Sequence, residues 1–572
     1  MSITFHSAID RIICRVISAG RIAAVAWFSL LGMWAGGAQA AHTMCQDRID
    51  ARSPILSNSF GFNQSNTRNQ VSGIRADNVA QLRLHHTHVA EGSKEKRSAP
   101  AVTEQTIYFA EGTDLVAANR VSGCEYWRYK GAAKNKPLLG INAIRSSSIL
   151  YVPPAAPHVA MVFAGDFRGY FYGVDAQTGQ EVWQGFMGTD ATRHMITGSA
   201  QIYQSTLFVP VATNEVVSTV IALFSPCCDS HGLLRAVDMY TGRVKWTYHT
   251  AVDVRDDPAT GTRGPSGMSL WGTPLIDEAN RAVLVGTGQN LSMPTTDNSD
   301  AIVSLDMDTG KVKWVFQSTK GDAWNAACQA PDWLSSHCPN APNGQDFDFG
   351  APPVLATLPT GGKVVLAAAK NGAVYSLNPK TGALNWSTRL GVGGSLGGIH
   401  WGLAVDATKV YAAVTDVWVN KLSRLAVGDL LTGGLLANMA PVPGARPGIY
   451  ALDLLSGHVV WDKHIQHTSD GQLYNSLYSA ALSVTNDVLL AGSLNGTVKA
   501  LRTSDGQELW SFDTAVDVVD VNGVAGHGGT IDSMGAVPAG RDVYVNSGYS
   551  TFGGANAWQG GNGNALFVFR LP

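Results

Sequence analysis

From Leu115 onward, apolar and polar positions alternate with a period of two over short runs, the spacing that predicts half-buried strands. One phrase recurs among them. It reads Leu115 to Trp127 around Gly123, Tyr172 to Trp183 around Gly179, Ala236 to Trp246 around Gly242, and Val303 to Trp314 around Gly310. It returns as Leu377 to Trp386 around Gly382, Leu452 to Trp461 around Gly457, and Leu501 to Trp510 around Gly506. In each copy an apolar strand runs into a tight turn ending in Gly, of the form Asp-x-x-Thr-Gly in the copies at Gly179, Gly242 and Gly310, and a second strand places a Trp four residues after the glycine. The glycine supplies the positive φ that a tight turn needs. Upstream of most copies lies another β run, such as Val283-Leu-Val-Gly-Thr or Val488-Leu-Leu-Ala-Gly.

The glycines lie 56, 63, 68, 72, 75 and 49 residues apart. About four strands per period of this size predict a β-propeller, and no Pro-rich or charged linkers separate the copies as a string of small domains would require. Seven copies predict eight blades, because the chain closes on a strand, Ala565 to Leu571, with no fourth strand after it. The isolated run Leu82 to Val89 is the expected partner, and pairing the two hides both edges of the ring. The expected fold is therefore an all-β, eight-bladed propeller of residues 41–572.

Composition agrees. Glycine is 62 of 572 residues and charged residues are only 15 %, where about 25 % is usual. That excludes coiled coils and disordered chains. A net charge of −3 gives no electrostatic reason to expect a nucleic-acid or anionic-membrane partner.

Residues 1–40 read as a secretory signal peptide. Arg11, Arg15 and Arg21 precede an apolar run from Ile22 to Trp34, and small residues follow to Ala38-Gln39-Ala40. The run is short for a membrane span, so no stable span is expected after cleavage, and the mature chain is expected to be periplasmic or secreted. Six cysteines then remain, an even number that suits an oxidising compartment. Cys328 and Cys338 close a short loop and are expected to pair. Cys227 and Cys228 are neighbours, whose bridge would close an eight-membered ring. Cys45 and Cys124 are left by elimination. No Cys-x-x-Cys-His occurs, so no covalent c-type haem is expected. Gly393-Gly394 and Gly397-Gly398 have no helix after them to present an N-terminus to phosphate.

The Trp repeat at eight blades resembles the dehydrogenases that use pyrroloquinoline quinone (PQQ). Non-catalytic propellers share the repeat, including a scaffold of bacterial outer-membrane assembly, so the resemblance of the repeat implies fold and not activity. Local stretches go further. Thr197-Gly198-Ser199 stands before Glu215 as a Thr-Gly motif precedes the calcium-binding glutamate of that family. Trp271 followed by Gly286-Thr-Gly288-Gln289-Asn290 resembles the family's floor tryptophan, on which the quinone stacks, and its Gly-Thr-Gly-Asn metal ligand. Asp322-Ala-Trp324-Asn325 resembles the catalytic-aspartate segment, and Lys370-Asn-Gly372 the basic residue at the quinone oxygens. Gly397-Gly-Ile-His400-Trp401 matches a further pocket segment. Phe60 to Arg68, Pro226-Cys-Cys-Asp229, Asp300-Ala-Ile-Val, Gly321 to Cys328 and Val545 to Tyr549 are similar to polyvinyl alcohol dehydrogenase-like members, some of which also carry a haem c domain.

The resemblance implies PQQ and Ca²⁺. Calcium takes hard oxygen ligands, which Glu215 with Gln289 or Asn290 would supply. It also implies a quinone cradle of Thr197, Trp271, Lys370, His400 and Trp401, with the Cys227–Cys228 pair as a plate over the other face. Two residues depart from the pattern. Gln289 stands where the family has Asn. Asn325 stands where the family has Asp, and an amide is no general base; Asp322 is the expected substitute, with Asp300 in reserve. Read from the residues alone, Glu215 could be a solvated turn carboxylate, Trp271 a blade-packing residue, and His400 structural. Lys370 is more telling, because it follows Leu366-Ala-Ala-Ala369 and a lysine there needs an acceptor. The apolar stretch Leu425 to Pro447 is expected as an insertion, a flap or a contact for an electron acceptor. The expected function is oxidation of an alcohol, a polymeric secondary alcohol such as polyvinyl alcohol among the candidates, with electrons passed to a separate acceptor such as a cytochrome c. The alternative is a cofactor-free propeller that scaffolds protein partners.

Overall fold

Each of the seven expected turns forms as the local chemistry requires. The turn glycines have φ between 69° and 75°, and the turn aspartate gathers the backbone: Asp175 Oδ1 accepts from Gln177 N at 3.0 Å and from Thr178 N and Oγ1 at 2.8 Å. The missing Cβ matters as much as the φ. A Cβ on Gly310 would lie 2.5 Å from the Trp246 ring, and on Gly242 2.6 Å from the Trp183 ring. The Trp of one repeat thus docks on the turn of the next. Its indole N–H completes the dock, from Trp183 to Met239 O at 2.8 Å and from Trp461 to Thr503 O at 3.1 Å.

The structure, a computed structural model, describes residues 42–572 apart from 94–95, 136–142, 219–226, 258–261, 332–334, 340–344, 396, 420–438 and 550–555. Among the described residues, eight antiparallel sheets of four or five strands form the blades. Blade 4, for example, is Leu275–Asp277, Ala282–Gly286, Ala301–Asp306 and Val312–Gln317, and blade 5 is Val354–Thr357, Lys363–Ala368, Ala373–Leu377 and Leu384–Arg389. Blade 8 takes Ala536–Ala539, Asp542–Ser547 and Ala565–Arg570 from the end of the chain. Its outer strand is Arg83–Val89, running from Arg83 opposite Arg570 to Val89 opposite Ala565 with a one-residue register shift between Leu84 and His86. The expected closure is thereby formed. In blade 4 the second strand, Ala282–Gly286, is fully buried, while the outer strand, Val312–Gln317, is partly exposed along its length.

The core is a series of layers between blades. Leu275, Leu284 and Ile302 of blade 4 pack on Leu355, Val365 and Leu377 of blade 5, and similar layers recur around the ring. Apolar burial, worth about 25 cal/mol per Å², therefore lies between blades and leaves the axis to polar groups. One end of that axis is filled by residues 58–73. Consecutive residues reach consecutive blades: Ile276 N donates to Gln64 O, Leu355 N to Ser65 O, Val405 N to Thr67 O and Val484 N to Arg68 O. All three expected disulfides form: Cys45–Cys124, Cys227–Cys228 and Cys328–Cys338. The expected signal peptide and residues 425–438 of the insertion lie outside the described residues; Met439–Pro441 of the insertion pairs with Val417–Val419, which precedes it in the chain. No described helix is long and apolar enough to cross a membrane.

Candidate active site

The loop ends around the axis bring most of the anticipated residues into two adjoining groups. The first surrounds Trp271. This residue is not a docking tryptophan: its indole N–H donates to Asp348 Oδ2 at 2.7 Å, and its ring stands half-buried against Trp401 at 5.1 Å and His400 at 5.4 Å, both edge-on. Gly198 lets the Trp271 backbone in, since a Cβ there would lie 2.5 Å from Trp271 O. Lys370 Nζ sits 5.4 Å from the centre of the ring. Lys370 is buried and meets Asp348 Oδ1 at 2.7 Å and Asp346 Oδ1 at 3.2 Å. Burial opposes its charge, but the two carboxylates outweigh burial and push its pKa up. The acceptor that the sequence demanded for this lysine is this pair.

Asp346 and Asp348 were not anticipated. They belong to Asp346-Phe-Asp-Phe-Gly350, which leads into the first strand of blade 5, and a doubled acid before an apolar strand was the signal available. Burial pushes Asp346 well above the usual carboxylate range; Lys370 opposes this, while Asp348 and Asp322 add to it. Asp322, the anticipated base, clamps this loop. Its oxygens accept from Gln345 N and Phe347 N at 2.9 Å and from Asp346 N at 3.4 Å. Burial raises it to about 6 against those three bonds. Asn325 is committed too, because its amide donates to Leu291 O and His337 O and its oxygen accepts from Ala327 N. A carboxylate has no N–H to make the first two bonds, which is why an amide stands at this position. Asp300 is fully enclosed and neither of its oxygens has a hydrogen-bond partner. Burial, then Asp322, Asp348 and Asp346, drive its pKa well up.

Two further cations were missed. Arg97 donates to Thr197 O at 3.0 Å and Tyr549 Oη at 2.9 Å and lies over the Trp401 ring at 4.8 Å. Arg145 lies over Phe167 at 4.1 Å. Each is followed directly by a serine, a weak signal. His400 Nδ1 meets Ser479 Oγ at 2.8 Å; burial, Lys370 and Arg97 hold its pKa well below the usual value, so the ring stays neutral.

The second group holds the anticipated metal ligands. Glu215 Oε2 accepts from Ser230 N at 2.8 Å and Asp229 N at 3.2 Å, directly after the cysteine pair. Cys227 and Cys228 pack on Leu291 and Val216. Gln289 donates to Trp324 O at 3.1 Å. Asn290 is engaged at both ends of its amide, donating to Ser266 O and accepting from Thr296 N at 2.9 Å. The segment Gly286–Ser292 joins the groups, with Gly288 N bound to Ser269 O at 3.0 Å.

A half-buried indole, a buried ammonium 5.4 Å from its centre and Arg97 over the adjoining Trp401 ring suit a flat, anionic ligand. Residues 58–337 match the glucose/ethanol/alcohol dehydrogenase β-propeller domain of the PQQ type. A polyvinylalcohol dehydrogenase from a Pseudomonas species is 32 % identical over 91 % of this chain and 78 % of its own length. The chain belongs to the quinoprotein alcohol dehydrogenases. A second polyvinylalcohol dehydrogenase, from a Sphingopyxis species, is 30 % identical over 86 % of this chain and 73 % of its own length. Among solved structures, the quinohemoprotein alcohol dehydrogenase ADHIIG of Pseudomonas putida superposes with a TM-score of 0.64 at 16 % identity, over 92 % of this chain and 82 % of its own. A europium-containing methanol dehydrogenase gives 0.64 at 17 % identity, over 91 % and 99 %. These two agree on the fold. Residues 302–560 also match the outer membrane assembly factor BamB. This chain is thus a PQQ-type dehydrogenase of alcohols.

Proposed function

We propose that this quinoprotein oxidises the secondary alcohols of a hydroxylated polymer, as the names of its two polyvinylalcohol dehydrogenase relatives suggest, with PQQ and Ca²⁺ in the axial pocket. The observation that carries the placement is the meeting of Lys370, Asp346 and Asp348 at the edge of the Trp271 ring. The donor set fits the group: an aromatic floor for a flat tricycle, and Lys370, Arg97 and Arg145 for its anionic edge. Glu215 and Gln289 supply the hard oxygens that Ca²⁺ takes; Asn290, engaged at both ends, is the weaker candidate. The Cys227–Cys228 pair is proposed as the opposite wall.

When bound, PQQ supplies the two-electron acceptor and Ca²⁺ the Lewis acid. The chain's own part is to hold substrate and move a proton. Asp346 is the proposed acceptor of the hydroxyl proton, at a carboxylate oxygen made more basic by burial and by its acidic neighbours. Asp322 is fully used in clamping the loop, and Asp300 is fully enclosed with no hydrogen bond to either oxygen, so neither anticipated residue is preferred. Lys370 stays charged throughout and fixes Asp346. Arg97 holds Thr197 and Tyr549 in place. The neutral His400 ring borders the floor without adding charge to it. Electrons leave to a separate acceptor, for which a cytochrome c is the proposed class and the Leu425 to Pro447 stretch the proposed contact. Residues 1–40 are proposed as the secretory leader of a periplasmic or secreted protein.

The test is reconstitution of the purified protein with PQQ and Ca²⁺, read by absorbance and by dye-linked oxidation of polyvinyl alcohol, pentane-2,4-diol and ethanol. Uptake with preference for the secondary alcohols is expected. No uptake would sink the reading in favour of a scaffold, the alternative that the match to BamB keeps open.

A further inference from the structure

Asp348 touches both Trp271 and Lys370. Its two oxygens are divided between them: Oδ2 accepts the Trp271 indole N–H at 2.7 Å, and Oδ1 meets Lys370 Nζ at 2.7 Å. A third tie fixes the carboxylate's own backbone, since Lys370 N donates to Asp348 O at 3.1 Å. The three residues come from different places. Trp271 precedes blade 4, Asp348 precedes blade 5, and Lys370 lies two residues past the second strand of blade 5. Asp348 is buried, so both contacts are shielded from water and are stronger than at a surface. Space is kept for this arrangement: a Cβ on Gly288 would lie 3.3 Å from Asp348 Oδ2, and Gly350 lies against the Trp271 ring.

We propose that Asp348 is a positioning residue that couples the orientation of the Trp271 floor to the position of the Lys370 ammonium, so that a ring stacked on the first is held in line with the second. The coupling rests on the PQQ reading of the pocket for its use, but the tie itself exists without cofactor. It also bears on the proton acceptor. Asp346 faces Lys370, Asp348 and Asp322, with Asp300 close by. With Asp348 neutralised, Lys370 serves Asp346 alone and one like charge is removed. Asp346 then becomes a weaker base, and the acid limb of the activity profile moves to lower pH.

The test compares wild type with Asp348→Ala and the conservative Asp348→Asn, after unfolding midpoints establish that both variants fold. In cofactor-free protein, hydrogen exchange of the Trp271 indole N–H is followed by NMR, with Trp271→Phe assigning the signal. We expect Asp348→Ala to speed that exchange at least ~10-fold. Asp348→Asn keeps an acceptor and is expected to restore most of the protection. PQQ affinity, read by quenching of tryptophan fluorescence, is expected to fall ~10–100-fold in Asp348→Ala and less in Asp348→Asn, whose acid limb moves down in pH. Wild-type exchange and wild-type affinity in Asp348→Ala would overturn the proposal. If wild type takes up no PQQ while the exchange pattern is as stated, the tie stands and the PQQ reading of the pocket fails.

Discussion

Arg68 and Asp300 are both fully enclosed, yet they are treated in opposite ways. Arg68 lies in the segment that fills one end of the axis. Its guanidinium donates to Leu482 O, Phe60 O and Met534 O between 2.5 and 2.7 Å and is sandwiched by Phe60 and Phe62. Burial without a carboxylate lowers its pKa to about 9, and it still remains charged at neutral pH. Asp300 lies beside the pocket with no hydrogen bond to either oxygen, among three other carboxylates and one lysine. The carbonyls around Arg68 hold the ring together. The unanswered charge around Asp300 is the kind of cost that persists where a site is kept for chemistry.

The largest effect expected from this contrast is on turnover. Asp346→Asn should lower kcat ~10²–10⁴-fold, the range for loss of a general base, with the unfolding midpoint unchanged; a fall below tenfold would move the role of base to another residue. Next comes Arg68→Met. It removes three charge-assisted bonds and strands buried carbonyls, at a cost of ~3–5 kcal/mol in urea unfolding, and any folded fraction should bind PQQ as wild type does. Gly310→Ala should cost ~2–4 kcal/mol, from positive φ and from a Cβ against Trp246. Gly471→Ala has the same φ class and nothing within 4 Å, so it should cost only ~1 kcal/mol; equal losses would deny the docking role of the repeat tryptophans. The smallest effect has the opposite sign. Asp300→Asn should stabilise the protein by ~1–2 kcal/mol at pH 8, because it removes a buried charge without a partner.

The pH dependence follows from the same contrast. The folded pKa of Asp322 is raised to about 6, above the unfolded value near 3.9. Its contribution to stability is therefore complete below about pH 4 and is lost as pH rises through about 6. Asp300 and Asp346 act in the same direction. Cofactor-free protein should unfold at higher urea at pH 5 than at pH 8, and Asp300→Asn should flatten that slope.

The ring was legible because its signals are local. A turn that needs Gly and Asp, followed by a Trp at a fixed distance, can be read from a dozen residues, and the strand that closes blade 8 follows from counting. Lys370 was legible for a similar reason, being a lone cation after four apolar residues. The acid loop was not. Asp346 and Asp348 lie beyond the Cys328–Cys338 loop, far in sequence from Trp324, where the resemblance pointed, so Asp322 stood in for residues that it only holds in place. Nor was the role of Phe60 to Arg68, whose partners are carbonyls and amides of several blades that only the closed ring assembles.

The central claim is that the quinone lies on Trp271 with its reactive edge at Lys370. Titration of PQQ, with Ca²⁺ present, into cofactor-free wild type and Lys370→Ala tests it most directly. One equivalent should bind wild type, and Lys370→Ala should bind at least ~10-fold more weakly, the effect of losing one hydrogen bond to a charged group. Equal affinity in both proteins would contradict it.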